Sequence, residues 1–413
     1  MKNRVFNAID AHREDIIRIG DTVLAHPELG YKEHKTSALV KCELEKLGIP
    51  YTDGLAVTAV KGVVGKPDAK VNVCIIGELD AVKCFGHPHA DPDTGAAHAC
   101  GHNAQIASML GAAYGLVKSG VLDELDGKVT FFAVPAEEFV ELEFRQQLKE
   151  DGKIELLAGK QELIRLGAFD DIDIAMMVHS QAGTPEPDLL LGGTSLGFTA
   201  KQITFHGKAA HGSAPFEGVN ALNAAMLALM GIHANRETFR DEDRVRIHPI
   251  ITDGGELVNV VPSKAAIETY VRGARAEAIE DACRKVDAAA RAGAMAVGAT
   301  CEITDTVGYL PLRQNVALTE IFADNARELI GEKHLRYGID MTGSTDMGDL
   351  SAKIPCIHPT MGGFSGQAHG VDFEIVDKDA AYVLPAKLMA GAVVDLLANG
   401  AERALAIKEA FGK

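Results

Sequence analysis

Short apolar runs alternate with amphipathic stretches through the first half of the chain. Three runs are typical of buried strands, at 71–76, 128–134 and 172–178. Stretches with helical periodicity lie before and between them, at 5–26, 33–47, 103–118 and 155–166. Because strands that alternate with helices form parallel sheets, the pattern predicts an α/β fold with a mixed, mostly parallel sheet and helices on both of its faces.

The pattern changes near Gly192. Residues 198–206 alternate between apolar and polar, as in a half-exposed strand, and the segments that follow predict helices at 218–234 and 275–297 and strands at 248–251, 265–272 and 301–307. Strands and helices alternate again afterwards, with helices at 314–331 and 379–399 and a strand at 354–358. We therefore expect an α/β domain formed by 1–191 and 304–413, interrupted by an inserted α+β domain at 192–303.

Composition and charge exclude several classes of protein. The 413 residues include 41 Lys and Arg against 58 Asp and Glu, a net charge of −17, which argues against nucleic acid as a partner. No apolar run reaches the ~18 residues of a membrane span, and the N-terminus lacks the apolar segment of a signal peptide. The seven unevenly spaced cysteines favour a reduced cytoplasm, and those other than Cys100 are expected to be buried.

Residues 98–103, with the sequence HACGHN, predict one part of a metal site. Cys100 and His102 are two positions apart and cannot share a helix face, but a bend at Gly101 lets them converge. A helical stretch follows, so both side chains should lie in a loop at a helix N-terminus. A thiolate and an imidazole together are a soft-to-borderline pair of metal ligands.

Further ligand-type side chains follow the predicted strands. Glu137 and Glu138 follow the second run, His179 follows the third, and His369 lies near the C-terminus. The carboxyl ends of parallel strands meet at one edge of a sheet, so these residues and Cys100 could hold two metal ions that activate water. Adjacent carboxylates diverge, so one glutamate would bind metal while the other transfers protons.

Each of these residues has a structural alternative. A single His, a single Cys or a Glu-Glu pair is more often a satisfied polar group, a core residue or solvated surface, so the metal site rests on their joint placement. A second polar cluster at 86–95, GHPHADPDTG, could also bind metal. We favour a loop over the pocket there, because Pro88, Pro92 and Gly95 form turns.

Seven motifs, in order along essentially the whole chain, resemble those of the M20 metallopeptidase and amidohydrolase family. They are HACGHN at 98–103, PAEE at 135–138, MVH at 177–179, GKAAHGSAP at 207–215, NVVP at 259–262, GSTDMGDLS at 343–351 and GFSGQAHG at 363–370. CGHN and GSTDMGDLS are most similar to the branch with aminobenzoyl-glutamate hydrolases and aminoacylase-1-like-2 dipeptidases. The resemblance implies a zinc-exopeptidase-like catalytic domain with an inserted lid and dimerisation domain.

The resemblance also implies a metal site with assigned ligands. Cys100 would bridge two divalent ions, Mn²⁺ or Zn²⁺. His102 and His179 would complete the ligands of one ion, and Glu138 and His369 those of the other.

The remaining roles follow from the same resemblance. Glu137 would be the general acid/base, and Asp80 would orient a histidine ligand. Asn259 and Arg272 would bind the polar or carboxylate end of the substrate. His211 would stabilise the oxyanion, reaching the site either across a homodimer or by domain closure.

The chain departs from the family pattern in two places. Asn103 and Gln105 replace an acid and a histidine of many relatives; Asn103 is shared with the aminobenzoyl-glutamate branch and is expected next to the ligands. Residues 139–167 replace a short glycine-rich stretch. We favour a solvated surface helix for this charged insertion, with a pocket role for Glu141 and Glu143 as the alternative.

The expected function is hydrolysis of a C–N bond in an N-acyl amino acid, an aminobenzoyl-amino acid or a dipeptide, with metal-activated water and Glu137. Deamination of an aromatic amine of the nitroanthranilate type is the alternative within the same chemistry. A non-catalytic binding protein is disfavoured because Glu137 and all the ligand residues are present. The expected partners are a small-molecule substrate and a second copy of the chain, without nucleic acid or membrane.

Overall fold

The computed structural model describes residues 1–411, which form two compact units. Unit 1 comprises Met1–Gly193, Arg313–Ile339 and the chain from Asp349 onward, and unit 2 comprises Thr194–Leu312 and Asp340–Gly348. The division resembles an inserted domain, and unit 2 also takes in the short segment that contains most of GSTDMGDLS.

The helices in chain order are α1 (Lys2–Ala11), α2 (Arg13–Leu24), α3 (His34–Leu47), α4 (His102–Lys118), α5 (Leu142–Glu150), α6 (Gly159–Arg165), α7 (Ala221–Ala234), α8 (Ala276–Ala296), α9 (Val316–Ile330), α10 (Met347–Lys353), α11 (Leu384–Leu397) and α12 (Glu402–Ala410). The strands are β1 (Tyr51–Leu55), β2 (Ala59–Gly65), β3 (Asn72–Glu78), β4 (Val82–Lys83), β5 (Ala96–Ala97), β6 (Lys128–Val134), β7 (Ile174–Met176), β8 (His179–Ser180), β9 (Leu189–Leu191), β10 (Gly197–His206), β11 (Arg246–Ile247), β12 (Ile250–Asp253), β13 (Lys264–Gly273), β14 (Thr300–Val307), β15 (Leu335–Tyr337), β16 (Cys356–Ile357), β17 (Thr360–Met361), β18 (Phe364–Ser365) and β19 (Glu374–Ile375).

The main sheet of unit 1 has six strands in the order β1-β2-β6-β3-β7-β16. The pairs from β6 to β16 are parallel, and β1 and β2 add an antiparallel edge. All seven residues of β3 are buried, as expected for a strand covered on both faces. The predicted α/β fold with a mixed, mostly parallel sheet is confirmed.

Helix α4 is the central helix of unit 1, and fifteen of its residues are buried. Two glycines allow neighbouring elements to approach it closely. A Cβ atom at Gly111 would lie 2.9 Å from the Cβ of Ala386, and one at Gly115 would lie 2.5 Å from the Cγ1 of Ile9. The packing fixes α4, and with it the loop at its N-terminus, against α1, α2 and α11.

Unit 2 contains an antiparallel sheet in the order β11-β13-β10-β14, with β12 also paired to β13. Helices α7 and α8 pack on the sheet and on each other. Alternate residues of β10 and β13, including Ile203 and Ile267, form a separate apolar core with the alanines of α7 and α8. This is the α+β arrangement that the alternating pattern predicts.

Three expectations need correction. The single helix predicted at 5–26 is two helices, separated at His12, whose backbone leaves the helical region and whose ring packs on Tyr114 at 4.9 Å. Cys42 is exposed rather than buried, and Cys283 and Cys301 are only partly buried. Asp379–Leu397 is long and apolar enough to pass for a membrane span, but 83% of its most apolar window is buried in the fold, and Lys387 pairs with Asp10 at 2.6 Å.

The charged insertion at 139–167 is only in part the solvated surface helix that we favoured, because six of the nine residues of α5 are exposed but three charged side chains of the insertion are not. It forms two short helices, α5 and α6, and its side chains Arg145, Lys160 and Glu162 are fully buried. Glu141 forms ion pairs with Lys32 at 2.6 Å and Lys83 at 3.2 Å. The composition was misleading because these charges are neutralised by partners inside the protein.

Candidate metal centre

The ligand-type residues of unit 1 lie at the carboxyl edge of the main sheet. Strand β3 leads into Asp80, β6 into Glu137 and Glu138, and β7 into His179. The three strands are adjacent and parallel, so the polar groups that follow them meet at this edge.

The loop before α4 brings Cys100 and His102 to the same edge. Gly101 has a φ of 84°, which is the left-handed region that glycine tolerates. A Cβ atom there would lie 2.7 Å from the Cβ of Ser180, so the loop can only sit this close to β8 with glycine at this position. The hydroxyl of Ser180 donates to the carbonyl of Cys100 at 2.7 Å and fixes the loop.

Two groups of potential ligand atoms share the thiol of Cys100. One group contains Cys100, His102 and His179, and the other contains Cys100, Glu138 and His369. Within each group the ligand atoms lie within 4.8 Å of one another. The two adjacent carboxylates diverge as expected, because Glu137 falls in a third group, with His102 and Glu78.

Hydrogen bonds orient His102. Its Nδ1 lies 2.8 Å from the carbonyl oxygen of Asp80 and 3.3 Å from the Asp80 carboxylate, so Nδ1 carries the proton and donates. Nε2 is therefore the nitrogen that is left to bind a metal ion. The carboxylate of Asp80 also accepts the backbone N–H of Glu138 at 2.9 Å, which links both groups to one aspartate.

His369 is held in a strained conformation beside Glu138. Its φ is +62°, which is uncommon for a residue with a side chain. Its backbone N–H donates to the carbonyl of Ala99 at 2.8 Å, and its carbonyl accepts from the thiol of Cys84 at 3.3 Å. These bonds place Nε2 of His369 3.2 Å from Oε1 of Glu138.

The donor set fits divalent metal ions. Nε2 of His102 and Oε1 of Glu138 are buried and make no hydrogen bond of good geometry, although Glu78 lies 3.1 Å from the first atom and His369 lies 3.2 Å from the second. Buried polar atoms are almost always satisfied. Metal ions would complete the coordination of both atoms. One thiolate with imidazoles and a carboxylate is a set that borderline metals bind.

The charges and hydrogen bonds around Cys100 favour the thiolate form, which is the form that binds metal. Burial and the Glu138 carboxylate oppose ionisation of Cys100, but the charge of His179 and hydrogen bonds from the two histidines lower its pKa to about 6. Hydrogen bonds with Cys100 and Glu138 raise the pKa of His369 to about 11. The metal-free protein thus holds a proton on His369 that metal binding would release.

A buried network that the sequence indicates only in part adjoins this centre. Glu78 pairs with Lys160, and its Oε2 accepts from Nε2 of Gln105 at 2.7 Å and lies 3.1 Å from Nε2 of His102. Burial opposes ionisation of Glu78, but Lys160 and His102 hold its pKa well below the usual range. The strand-end position of Glu78 was a signal for it; Lys160, in the charged insertion, carried none.

Asn103 does not take the place predicted for it. Its amide donates to the carbonyl of Gly20 at 3.3 Å and to the hydroxyl of Tyr382 at 3.0 Å, on the side of α4 that faces α2. Gln105 instead contacts Glu78, which lies next to the ligand residue His102. Positions two apart on a helix differ by about 200° in direction, so only one of the two can face β3.

In unit 2 the predicted substrate-binding residues fall into two places. His211 and Asn259 adjoin, because the backbone N–H of Gly212 donates to the carbonyl of Asn259 at 2.7 Å. His211 follows the end of β10 and Asn259 precedes the start of β13, at the end of the sheet where His206 pairs with Lys264. Arg272 pairs with Phe198 at the opposite end of the same two strands. Eight residues of extended strand separate the ends by about 25 Å.

Arg272 is held by its neighbours. Its guanidinium donates to the hydroxyl of Ser344 at 2.7 Å and lies over the rings of Phe198 and Tyr270, at 5.2 and 5.3 Å from their centroids. Because the rings lie against the plane of the guanidinium, an anion would bind to the N–H groups at its edge.

The polar cluster at 86–95 is a loop in the structure. The carboxylate of Asp91 accepts from the backbone of Asp93 and Thr94, as in a turn, and His87 bonds the carbonyl of Phe373 at 2.9 Å. Within residues 1–411 this cluster is not among the groups that could hold a metal ion. It lines a cavity of about 440 Å³ together with the neighbouring residues 371–375.

Comparisons with known proteins agree with this geometry. The sequence profile of peptidase family M20/M25/M40 matches residues 74–395. The Xaa-Arg dipeptidase of Mus musculus is 29% identical over 382 residues, covering 87% of this chain and 79% of the relative.

Two solved structures share the fold. The Bacillus subtilis YxeP protein, a dinuclear metal binding peptidase from the M20 family, has a TM-score of 0.74 and 21% identity and covers 94% of this chain and 99% of its own. The aminobenzoyl-glutamate utilization protein from Klebsiella pneumoniae has a TM-score of 0.69 and 18% identity, with coverages of 93% and 96%.

Proposed function

Because the chain belongs to peptidase family M20/M25/M40, and is therefore a metal-dependent hydrolase of peptide or amide bonds, we propose that it splits N-acyl amino acids, aminobenzoyl-amino acids or dipeptides at a dinuclear metal centre. The observation that carries the proposal is the thiol of Cys100, which belongs to both ligand groups. The Xaa-Arg dipeptidase, as a relative over most of the chain, supports a dipeptide among the substrates.

We assign the ligands by group. Cys100 would be shared by the two ions, His102 and His179 would hold one of them, and Glu138 and His369 would hold the other. The mixed donor set suits Mn²⁺ or Zn²⁺. When bound, the ions polarise the scissile carbonyl and lower the pKa of a water molecule.

Glu137 transfers protons in this proposal. Its carboxylate lies within 4.8 Å of ligand atoms of His102 and Glu78, and it is almost fully buried, at 8% exposure. It takes a proton from the attacking water and delivers it to the nitrogen of the leaving amine. Asp80 keeps His102 in the tautomer that leaves Nε2 for metal.

A homodimer would complete the substrate site. Arg272 and the His211–Asn259 pair lie at opposite ends of one sheet, about 25 Å apart, which is too far for one small substrate. We propose that Arg272 and the His211–Asn259 pair act on two different substrate molecules, and that His211 and Asn259 act on the one bound to the partner subunit. The seven unpaired cysteines of residues 1–411 support the cytoplasm as its compartment.

The first test is Glu137→Gln. Activity should fall by about 10²- to 10⁴-fold, the usual contribution of a general acid/base, while the protein keeps both metal ions. Glu141→Gln is the matched control, since this nearby carboxylate pairs with lysines and belongs to none of the ligand groups. A Glu137→Gln enzyme with most of its activity would refute the assignment.

The substrate is identified by a screen. The metal-loaded enzyme is incubated with N-acyl amino acids, dipeptides, aminobenzoyl-glutamate and aminobenzoates, and amines and ammonia are measured separately. Release of an amine without ammonia supports amide hydrolysis. Release of ammonia from aminobenzoates, with no cleavage of any amide, would refute amide hydrolysis and support the deaminase alternative.

The dimer is tested by complementation. Mixed dimers of His211→Ala and Glu137→Ala subunits contain one site with both residues intact if His211 acts across the interface. Activity should then return to about a quarter to a half of the wild-type value. Verified mixed dimers that stay inactive would show that His211 acts within its own subunit.

A further inference from the structure

The turn between β6 and Glu137 has an unusual backbone conformation. Ala136 has a φ of +54°, in the left-handed region that residues with a Cβ atom rarely adopt. Its conformation sets the direction in which the chain leaves β6 and therefore where Glu137 and Glu138 point. Such an outlier persists only when surrounding groups hold it.

Both polar groups of Ala136 are held by buried side chains. The N–H donates to Oε1 of Glu33 at 2.9 Å, and Glu33 is itself fixed by the hydroxyl of Thr58 at 2.7 Å. The carbonyl accepts from the backbone of Gly159 at 3.2 Å and from Nη1 of Arg145 at 3.3 Å.

Arg145 connects the residues on either side of Glu137. Besides the carbonyl of Ala136, its guanidinium donates to the carbonyl of Glu138 through Nη2 and to that of Leu157 at 2.9 Å. The two carbonyls that flank Glu137 are thus bound by one rigid, planar group. A lysine, with a single nitrogen on a flexible stem, could not span them in this way.

The guanidinium of Arg145 is enclosed by neighbouring residues. The Arg145 side chain is 0% exposed, and burying a cation is unfavourable unless charge-assisted hydrogen bonds compensate it. Its centre lies 5.5 Å from the ring centroid of Tyr31. A Cβ atom on Gly30 would lie 2.5 Å from Nη2, so glycine is needed at that position.

We propose that Arg145, from the charged insertion, is a positioning residue that holds Ala136 in the left-handed conformation and so aims Glu137 and Glu138 at the metal centre. Its guanidinium bonds backbone carbonyls, and it belongs to none of the groups of potential ligand atoms found among residues 1–411. The proposal rests on the roles proposed above for the two glutamates, and it gives the insertion a function in the reaction.

The test replaces Arg145 by methionine, which fills similar space without donors. The Co²⁺ dissociation constant, measured by titration of the metal-free protein, should rise about 10- to 100-fold, because Glu138 loses its orientation. On the best substrate of the screen, kcat should fall over the same range while KM changes less than threefold. Lys149→Met, on the exposed face of the same helix, should change neither quantity by more than twofold.

A second substitution separates positioning from folding. Glycine adopts positive φ without penalty, so Arg145→Met/Ala136→Gly should recover about 5- to 30-fold of the lost Co²⁺ affinity and kcat, both measured on protein whose folded fraction is known from circular dichroism. Arg145→Lys should stay impaired at least fivefold. Wild-type affinity and kcat in Arg145→Met, or no recovery in the double variant, would refute the proposal.

The outcome is distinguishable from failure of the proposed function. If Glu137→Gln stays active and Glu138→Gln binds Co²⁺ normally, the roles of the glutamates are wrong. If both of these variants are impaired as expected but Arg145→Met is not, the roles stand and the positioning role of Arg145 alone is wrong.

Discussion

Replacing Glu33 by glutamine should stabilise the metal-free protein at alkaline pH. The carboxyl is fully buried, and burial together with the charge of Asp80 raises the pKa of Glu33 from 4.5 to about 8. Its folded-state pKa lies above the unfolded one, so its contribution to stability is fully present below pH 4.5 and is lost as the pH rises to about 8.

The size of the effect follows from the same values. One pKa unit corresponds to about 1.4 kcal/mol, so a rise from 4.5 to about 8 corresponds to about 5 kcal/mol of stability lost across that range. Glutamine resembles the protonated carboxyl: its oxygen can accept the N–H of Ala136 and its amide can donate to the Thr58 hydroxyl. The variant should match the wild type near pH 4.5 and exceed it by a few kcal/mol at pH 8.5.

The assay is urea unfolding with a chelator present, followed by far-ultraviolet circular dichroism at pH 5, 7 and 8.5. Glu43→Gln is the matched control with the opposite sign. Burial opposes ionisation of Glu43, but hydrogen bonds from Lys46, Tyr114 and Arg18 outweigh it and lower its pKa. That contribution is present above the unfolded pKa and lost in acid. A difference between Glu33→Gln and wild type that does not grow with pH would refute the reasoning.

Other predictions concern the metal centre. In the metal-free protein, iodoacetamide should label Cys100 with a midpoint near pH 6, about two to three pH units below an ordinary thiol, and added Zn²⁺ should prevent labelling, as peptide mass spectrometry would show. Lys160→Met should lower the free energy of unfolding by about 3–5 kcal/mol, because it leaves the buried Glu78 carboxylate without its partner, and Glu78→Gln in the same chain should restore part of the loss. Gly101→Ala should reduce metal binding at least tenfold in a Co²⁺ titration, since its Cβ atom would meet Ser180 at 2.7 Å.

The main sheet and the placement of most ligand-type residues could be predicted from the sequence. Strand β6 has the bounds that its apolar run indicates, and β3 and β7 lie within two residues of theirs. Once the strands are parallel, the residues that follow them meet at one edge whatever the details of the loops. Glu137, Glu138 and His179 could be placed for this reason.

The sequence could not show which helix positions face the centre. Asn103 and Gln105 are both buried and both in the first turns of α4, yet only Gln105 contacts Glu78. The rotation of α4 decides this, and it is set by the packing of α1, α2 and α11 along the rest of the helix. The motif at 98–103 covers only the N-terminal end of α4 and contains no information about the packing of the rest of the helix.

The buried charges of the insertion could not be predicted for a different physical reason. A sequence can suggest that a charged residue is buried when its partner is a side chain of opposite charge. It cannot do so when the partner is a backbone group. The partners of Arg145 are backbone carbonyls of Ala136, Glu138 and Leu157, which every residue possesses and no sequence marks. A run of charged residues therefore predicts a solvated surface less reliably when a nearby turn has backbone carbonyls that need hydrogen-bond donors, because a charged side chain can be buried to supply them. The turn at Ala136, in the left-handed conformation directly after a strand, leaves such carbonyls, and it lies next to the two glutamates on which the proposed chemistry depends.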